Sequence, residues 1–205
     1  MKLKVCGISK STELEVSINN KVDYCGFILN YPKSHRFISI EQAKDLVSIA
    51  KKDCEFVGVL VDPSKKELEI FSKLNLDYFQ LYGNYTNQDL INVRKDFGKK
   101  IISSIQVKNE RDVEKYKNIE EGSDIILWDS SGYEQSKSWD FKWMKSVTTP
   151  VEKMIAGNIS VKKLKDLVNL ADIVDVSGAL ETNKVKDINK IIEFITEIKK
   201  INNAN

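Results

Sequence analysis

Short runs of β-branched and aromatic residues alternate with stretches of helical periodicity along all 205 residues, and the alternation recurs eight times. Strands are predicted at 2–6, 23–29, 55–61, 77–82, 100–106, 124–128, 152–156 and 172–177. Helices are predicted at 11–20, 40–52, 63–74, 87–97, 109–119, 140–146, 160–170 and 185–200. Ser39, Asp62-Pro63, Thr86 with Asn87, and Asn109 stand where caps belong. Eight βα units of about 25 residues consume the whole length, so the expected fold is α/β: a single-domain (β/α)₈ barrel over 1–205. A doubly wound open sheet is the alternative and needs fewer strands. Gly7, Gly83, Gly132, Gly157 and Gly178 all fall just beyond predicted strand C-termini, the face on which a barrel binds its ligands.

Charge and cysteine usage narrow the function. With 32 Lys plus Arg against 30 Asp plus Glu the net charge is +2, too balanced to imply nucleic acid or an anionic membrane as partner. No apolar run approaches the roughly 20 residues of a membrane span, and MKLKVCGISK has no signal-peptide core, so a soluble cytoplasmic protein is expected. The three cysteines, Cys6, Cys25 and Cys54, are irregularly spaced and the chain has one His, which argues against a disulfide framework, a zinc site and a histidine base. No long exposed apolar stripe is evident, so a monomer is the default expectation and a homodimer stays open.

Strand parity indicates which side chains look inward. Successive residues of a strand point to opposite faces, and the outer face of a barrel strand must meet apolar helices, so polar parity marks the interior. In the first strand Leu3 and Val5 take the outer set and leave Lys4 and Cys6 inside; in the eighth, Val174 and Val176 leave Asp175 and Ser177. The fourth strand turns Tyr78, Gln80 and Tyr82 inward, and in the sixth Ile125, Leu127 and Asp129 share one parity. Closing a barrel makes its first and last strands neighbours, so Lys4 is expected to pair with Asp175; an unpartnered buried lysine would be too costly.

Several motifs agree in order and spacing with one family: Lys4-Val5-Cys6-Gly7-Ile8, Gly26-Phe27-Ile28, the loop from Tyr31-Pro32-Lys33 through Arg36 to Ser39, Val57-Gly58-Val59, Gln80-Leu81-Tyr82-Gly83, Asp129, and Val174-Asp175-Val176-Ser177. The chain resembles phosphoribosylanthranilate isomerase from end to end. The resemblance implies a (β/α)₈ barrel of tryptophan biosynthesis, with a small phosphorylated substrate and neither metal nor organic cofactor. It also implies an Amadori rearrangement with Asp129 as general acid and Cys6 as general base. An acid working near neutral pH needs a raised carboxyl pKa, and a thiol with an ordinary pKa of about 8.5 needs a cation or exposed amides to favour its thiolate. Arg36, one of three arginines, is assigned to the anthranilate carboxylate or a place beside it. Gln80, Tyr82 and Asp175 are placed at the substrate, with Asp175 serving a ribose hydroxyl, Lys4, or both. His35 carries no assignment, and Cys25 and Cys54 have no functional reading.

A phosphate needs backbone N–H groups at loop ends, typically after the seventh and eighth strands. Gly157 and Asn158 in one loop and Ser177, Gly178 and Ala179 in the other are the candidates, with Lys184 in reach. The chain departs from the common family form here. Tyr82 stands for the usual His, Asn158 for a second Gly, Gly178 for a Ser, and the sixth loop reads SGYEQSKSWDF over 131–141. Trp128, Trp139 and Trp143 are expected to pack loop and helix against the barrel rather than stack on substrate. A related phosphosugar barrel with another substrate and a catalytically silent metabolite-binding barrel are the competing functions; the inward Cys6 and Asp129 argue against the second.

Overall fold

The computed structural model describes residues 1–130 and 138–204. Eight parallel strands close into a barrel in chain order: β1 Lys2–Cys6, β2 Tyr24–Ile28, β3 Glu55–Val61, β4 Tyr78–Tyr82, β5 Lys100–Val107, β6 Ile125–Ser130, β7 Glu152–Ile155 and β8 Ile173–Val176. The helices α1 Ser11–Asn19, α2 Ile40–Val47, α3 Lys65–Ser72, α4 Asn87–Phe97, α5 Leu164–Leu167 and α6 Ile188–Ala204 lie between and after them. Closure sets β1 beside β8, with Lys4 opposite Asp175 in the register. Among the described residues no helix is long and apolar enough to cross a membrane.

The two strand parities separate the core into an inner and an outer part. Leu3, Val5, Phe27, Phe56, Phe79, Ile101, Trp128 and Val174 belong to the packing between barrel and helices. Cys6, Tyr24, Val57, Val59, Tyr78, Tyr82, Ile102, Leu127 and Met154 fill the barrel itself. This is the division that parity predicts.

Three helices differ in kind from expectation. Glu110–Asn118, Phe141–Ser146 and Val161–Lys163 are 3₁₀ helices, the last running into the single turn of α5. Apolar residues in and just beyond them recur at a spacing of three: Val113 and Tyr116; Phe141, Met144 and, at the C-cap, Val147; Val161 and, in α5, Leu164 and Leu167. With three residues per turn, that spacing aligns Val113 with Tyr116 and Phe141 with Met144 on one edge, packed on the core. The cap of α3 is Ser64, not Asp62-Pro63: its hydroxyl accepts from the Glu67 N–H while the Glu67 carboxylate accepts from the Ser64 N–H, a reciprocal capping box.

The predicted helix start at 185 is also displaced. The strands β9 Glu181–Thr182 and β10 Val185–Lys186 form a two-residue hairpin, and α6 begins after it. Asn183 and Lys184 both have positive φ (52° and 63°), the backbone of a type I′ turn. The hairpin turns Lys186 back toward the barrel mouth, where it becomes buried.

Candidate active site

A cavity of about 310 Å³ opens at the C-terminal ends of the strands. Its walls include Cys6, Arg36, Tyr82, Asp129, Gly157, Asn158, Asp175, Ser177, Gly178 and Ala179, and also Tyr31 and Ser34. Every residue assigned to the site from sequence stands at this cavity except Gln80, which is fully buried beneath Tyr82. Residues 131–137 of the sixth loop, Gly132 among them, lie outside the described residues.

One wall is the β1–β8 seam. The Lys4 ammonium is wholly buried and lies 2.9 Å from Asp175 Oδ2, a close ion pair that is poorly aligned as a hydrogen bond. Burial opposes charge on Lys4, but Asp175 and Cys6 facing it more than offset that and raise its pKa. For Cys6 the balance goes the other way. Burial pushes the thiol up, Lys4 pulls it down, and the net pKa is raised, so the resting site holds a thiol. Lys4 is the cation sought beside the thiol, though burial outweighs it. Gly26 makes room for both, since a Cβ there would stand 3.0 Å from Cys6 Sγ and 3.2 Å from Lys4 Nζ.

Asp129 stands on β6. Burial raises its carboxyl to about 6, although the Tyr82 hydroxyl, donating to Oδ2 at 2.8 Å, and the Ser130 N–H, donating to Oδ1 at 2.7 Å, both favour the charged form. Such a carboxyl retains its proton closer to neutrality than an exposed Asp does. Tyr82 is held as a neutral phenol by burial and by the Asp129 charge.

The opposite rim is ionic. Arg36 donates through Nε and Nη2 to the two carboxylate oxygens of Glu181, at 2.5 and 2.9 Å. One edge of the guanidinium is therefore taken by the protein. Lys186 Nζ donates to the same carboxylate at 2.6 Å, and His35 Nε2 lies 3.0 Å from it. Burial alone would raise Glu181, yet Arg36 and Lys186 hold it down at about 2. Lys186 is itself shifted down, by burial first and by Arg36, despite Glu181 beside it. Sequence reasoning does not reach Glu181 and Lys186; Lys184, expected within reach, is exposed on the hairpin turn. The only sequence signal for Lys186 is a pair of β-branched residues flanking Asn183 and Lys184, a weak hairpin cue without the usual glycine.

The two phosphate-loop candidates differ in detail. Gly157 has φ +110° and Asn158 φ +49°, so Asn158 does adopt the left-handed backbone that Asn tolerates. Gly178–Leu180 forms one 3₁₀ turn, whose first N–H groups have no partner within it. Trp139 donates its indole N–H to the Ala156 carbonyl at 2.9 Å, and the buried Trp128 donates to the Val113 carbonyl, so both pack the scaffold.

Fold and cavity together define the class: a (β/α)₈ barrel whose C-terminal face holds a half-buried carboxyl, a buried thiol and the backbone of the loops after the seventh and eighth strands. The family model described as N-(5'phosphoribosyl)anthranilate (PRA) isomerase matches residues 3–197. The N-(5'-phosphoribosyl)anthranilate isomerase of Thermoanaerobacter pseudethanolicus is 32% identical, over 98% of this chain and 99% of its own. Among solved structures, monomers of the dimeric phosphoribosylanthranilate isomerase of Thermotoga maritima superpose with a TM-score of 0.82 at 26% identity, covering 98% of this chain and 99% of that one. A phosphoribosylanthranilate isomerase in complex with reduced 1-(o-carboxyphenylamino)-1-deoxyribulose 5-phosphate gives 0.77 at 25% identity, with coverage of 98% and 99%. The chain belongs to the N-(5'-phosphoribosyl)anthranilate isomerase family and is an isomerase of that family.

Proposed function

We propose that this one-domain barrel converts N-(5-phosphoribosyl)anthranilate to 1-(2-carboxyphenylamino)-1-deoxyribulose 5-phosphate, the third step of tryptophan synthesis from chorismate, with Asp129 as acid and Cys6 as base. The carboxylic acid of Asp129 gives its proton to the ribose ring oxygen as the C1′–O bond breaks, and the anilino nitrogen becomes an iminium. The iminium acidifies the C2′ hydrogen. Cys6 thiolate takes that proton and leaves an enolamine, which tautomerises to the ketone by moving one proton from the 2′-hydroxyl to C1′. The sequence is proton transfer and one C–O cleavage with no external oxidant or reductant, so the chemistry asks for no metal or organic cofactor.

The observation that carries this reading is that a carboxyl raised to about 6 and a thiol beside a buried lysine share the walls of one cavity. The cavity volume is at the lower end for a small-ligand site, which suits a sugar phosphate. Asp175 Oδ1 is buried without a donor, a fitting acceptor for a ribose hydroxyl. Arg36 keeps its Nη1 end for the anthranilate carboxylate, and the loops at Gly157-Asn158 and Ser177–Ala179 offer amides to the phosphate. The compound held by the similar isomerase complex, reduced 1-(o-carboxyphenylamino)-1-deoxyribulose 5-phosphate, carries a phosphate, which agrees with a phosphorylated substrate here. A cytoplasmic monomer is our reading of the remaining properties; sedimentation tests the monomer.

The test is turnover of phosphoribosylanthranilate, followed by loss of anthranilate-type fluorescence, in wild type, Cys6→Ser and Asp129→Asn. Rate losses of about 10²–10⁴-fold are expected for both variants with the fold intact. Near-normal turnover in either removes that residue from its role.

A further inference from the structure

Tyr82 belongs to β4 and Asp129 to β6, so the whole of β5 lies between them. In the register of β5 with β6, Ser104 stands opposite Leu127 and Gln106 opposite Asp129, so the phenol spans that strand to reach the carboxyl. The contact it makes is specific. The hydroxyl donates to Asp129 Oδ2 at 2.8 Å, while Oδ1 is held by the Ser130 N–H on its own strand. Below it, Gln80 Nε2 donates to the phenol oxygen at 3.2 Å. With that oxygen already accepting from Gln80, its own proton is directed to the carboxylate.

Gln80 is an amide with no solvent exposure, and its Oε1 is buried without a partner. Burying an amide costs free energy unless its bonds are met, and Gln80 meets only part of that cost, at the phenol. Packing alone would be served better by an apolar side chain. The stack Gln80–Tyr82–Asp129 is therefore a polar line in an interior that also holds the apolar Val57, Val59, Ile102 and Leu127.

We propose that Tyr82, braced by Gln80, is a positioning residue for the acid: its hydroxyl orients the Asp129 carboxyl and stabilises the carboxylate left when the proton has gone to the sugar. Tyr82 acts through Asp129 and not by contact with substrate. The proposal rests on the reading of Asp129 as general acid. The charged and titratable groups facing Asp129 from the elements around it are Lys4 and Cys6 of β1, Tyr82 of β4 and Asp175 of β8. Lys4 and Asp175 form an ion pair and offset one another there. Burial drives the carboxyl up and the Tyr82 hydrogen bond is the largest influence in the opposite direction, as the geometry requires.

The decisive measurement is a carboxyl ¹³C NMR titration of the free full-length protein. Asp129 is expected to titrate near 6 in wild type and about one pH unit higher in Tyr82→Phe, which keeps the ring and loses only the hydroxyl. Gln80→Leu is expected to shift it in the same direction by less. In steady-state kinetics, the apparent pKa of kcat/KM that tracks Asp129 should move by the same amount in Tyr82→Phe, with KM little changed. An unmoved Asp129 titration in Tyr82→Phe overturns the proposal, as does a defect confined to KM, which is the mark of a substrate contact. Should Tyr82→Phe fail to fold, the Gln80→Leu titration decides alone, and no shift there refutes it. If wild type fails to turn over phosphoribosylanthranilate, the proposed reaction is lost while the titration still judges the Tyr82–Asp129 pair.

Discussion

Lys4 and Asp175 face each other at matched positions across the seam that closes the barrel, ammonium to carboxylate at 2.9 Å, with almost no exposure to solvent. The pair joins the first strand to the last, and Lys4 also faces the Cys6 thiol. Replacing Lys4 with Met leaves a buried carboxylate without its counter-charge. Unfolding free energy is expected to fall by about 3 kcal/mol, with part of it regained in Lys4→Met/Asp175→Asn. Urea unfolding of the two singles and the double measures the coupling. Alkylation of native Cys6 by iodoacetamide should also slow in Lys4→Met, because the cation opposing burial is gone.

The pH dependence of kcat/KM follows from the order of the two ionisations. Asp129 loses its proton at about 6 and Cys6 above its ordinary value, yet the reaction wants the acid protonated and the thiol ionised. The working form is thus the minority arrangement of the singly protonated pair. Its population rises with pH up to the Asp129 ionisation, stays level between the two, and falls beyond that of Cys6. A lower apparent pKa near 6 belonging to Asp129, and an upper one belonging to Cys6, are expected in a pH–rate profile. A profile that falls instead of rising through 6 contradicts this order.

Asp129→Asn should gain stability while losing activity. The folded-state carboxyl is raised from 3.8 to about 6, so between those values the folded protein binds more protons than the unfolded chain, and stability drops as pH rises through that window. Removing the charge removes the loss. At pH 7 the variant is expected to be more stable than wild type by about 1–2 kcal/mol, and the difference should vanish near pH 4. Denaturation midpoints at the two pH values provide the check.

Glu181 shows the opposite linkage. Its carboxylate is held at about 2 in the folded protein against 4.5 for the free group, so the stability it confers is present above 4.5 and is lost as pH falls toward 2. Glu181→Gln should flatten the acid side of the stability curve, read by urea midpoints between pH 2 and 6. Arg36, whose Nε edge rests on Glu181, is expected to act in binding: Arg36→Met should raise KM with little change in kcat.

Gly26 is small because two side chains lie against it. In Gly26→Ala the new Cβ would stand 3.0 Å from Cys6 Sγ, and the sulfur or Lys4 must give way. Stability should fall by about 1–2 kcal/mol, as for other overpacked interiors, while turnover falls by tenfold or more through displacement of the base. Parallel thermal melts and assays separate the two effects.

Much of the cavity was legible because a strand's period of two assigns each side chain a face. Cys6 and Asp175 were placed inside by their apolar neighbours, Asp129 shared a parity with Ile125 and Leu127 and was singled out by the family resemblance, and the Lys4–Asp175 pair followed from closure alone. The same logic turned Gln80 inward but gave no depth along the barrel axis, so its position beneath Tyr82 did not emerge. The 3₁₀ helices escaped because a three-residue spacing is also part of a helical pattern. The hairpin at 181–186 was hidden by a turn without glycine, and with it Lys186.

What the chain's own order of residues determined was the alternation of strand and helix, hence the barrel, and the faces on which the thiol and carboxyls stand. These follow from short-range periodicity that any segment carries with it. The Arg36–Glu181 clamp, the reach of Tyr82 across β5 to Asp129, and the protonation of Cys6 and Asp129 were decided only by the tertiary structure. Desolvation and Coulomb energies depend on distance through space, and residues 145 positions apart in the chain become neighbours only when the barrel has closed.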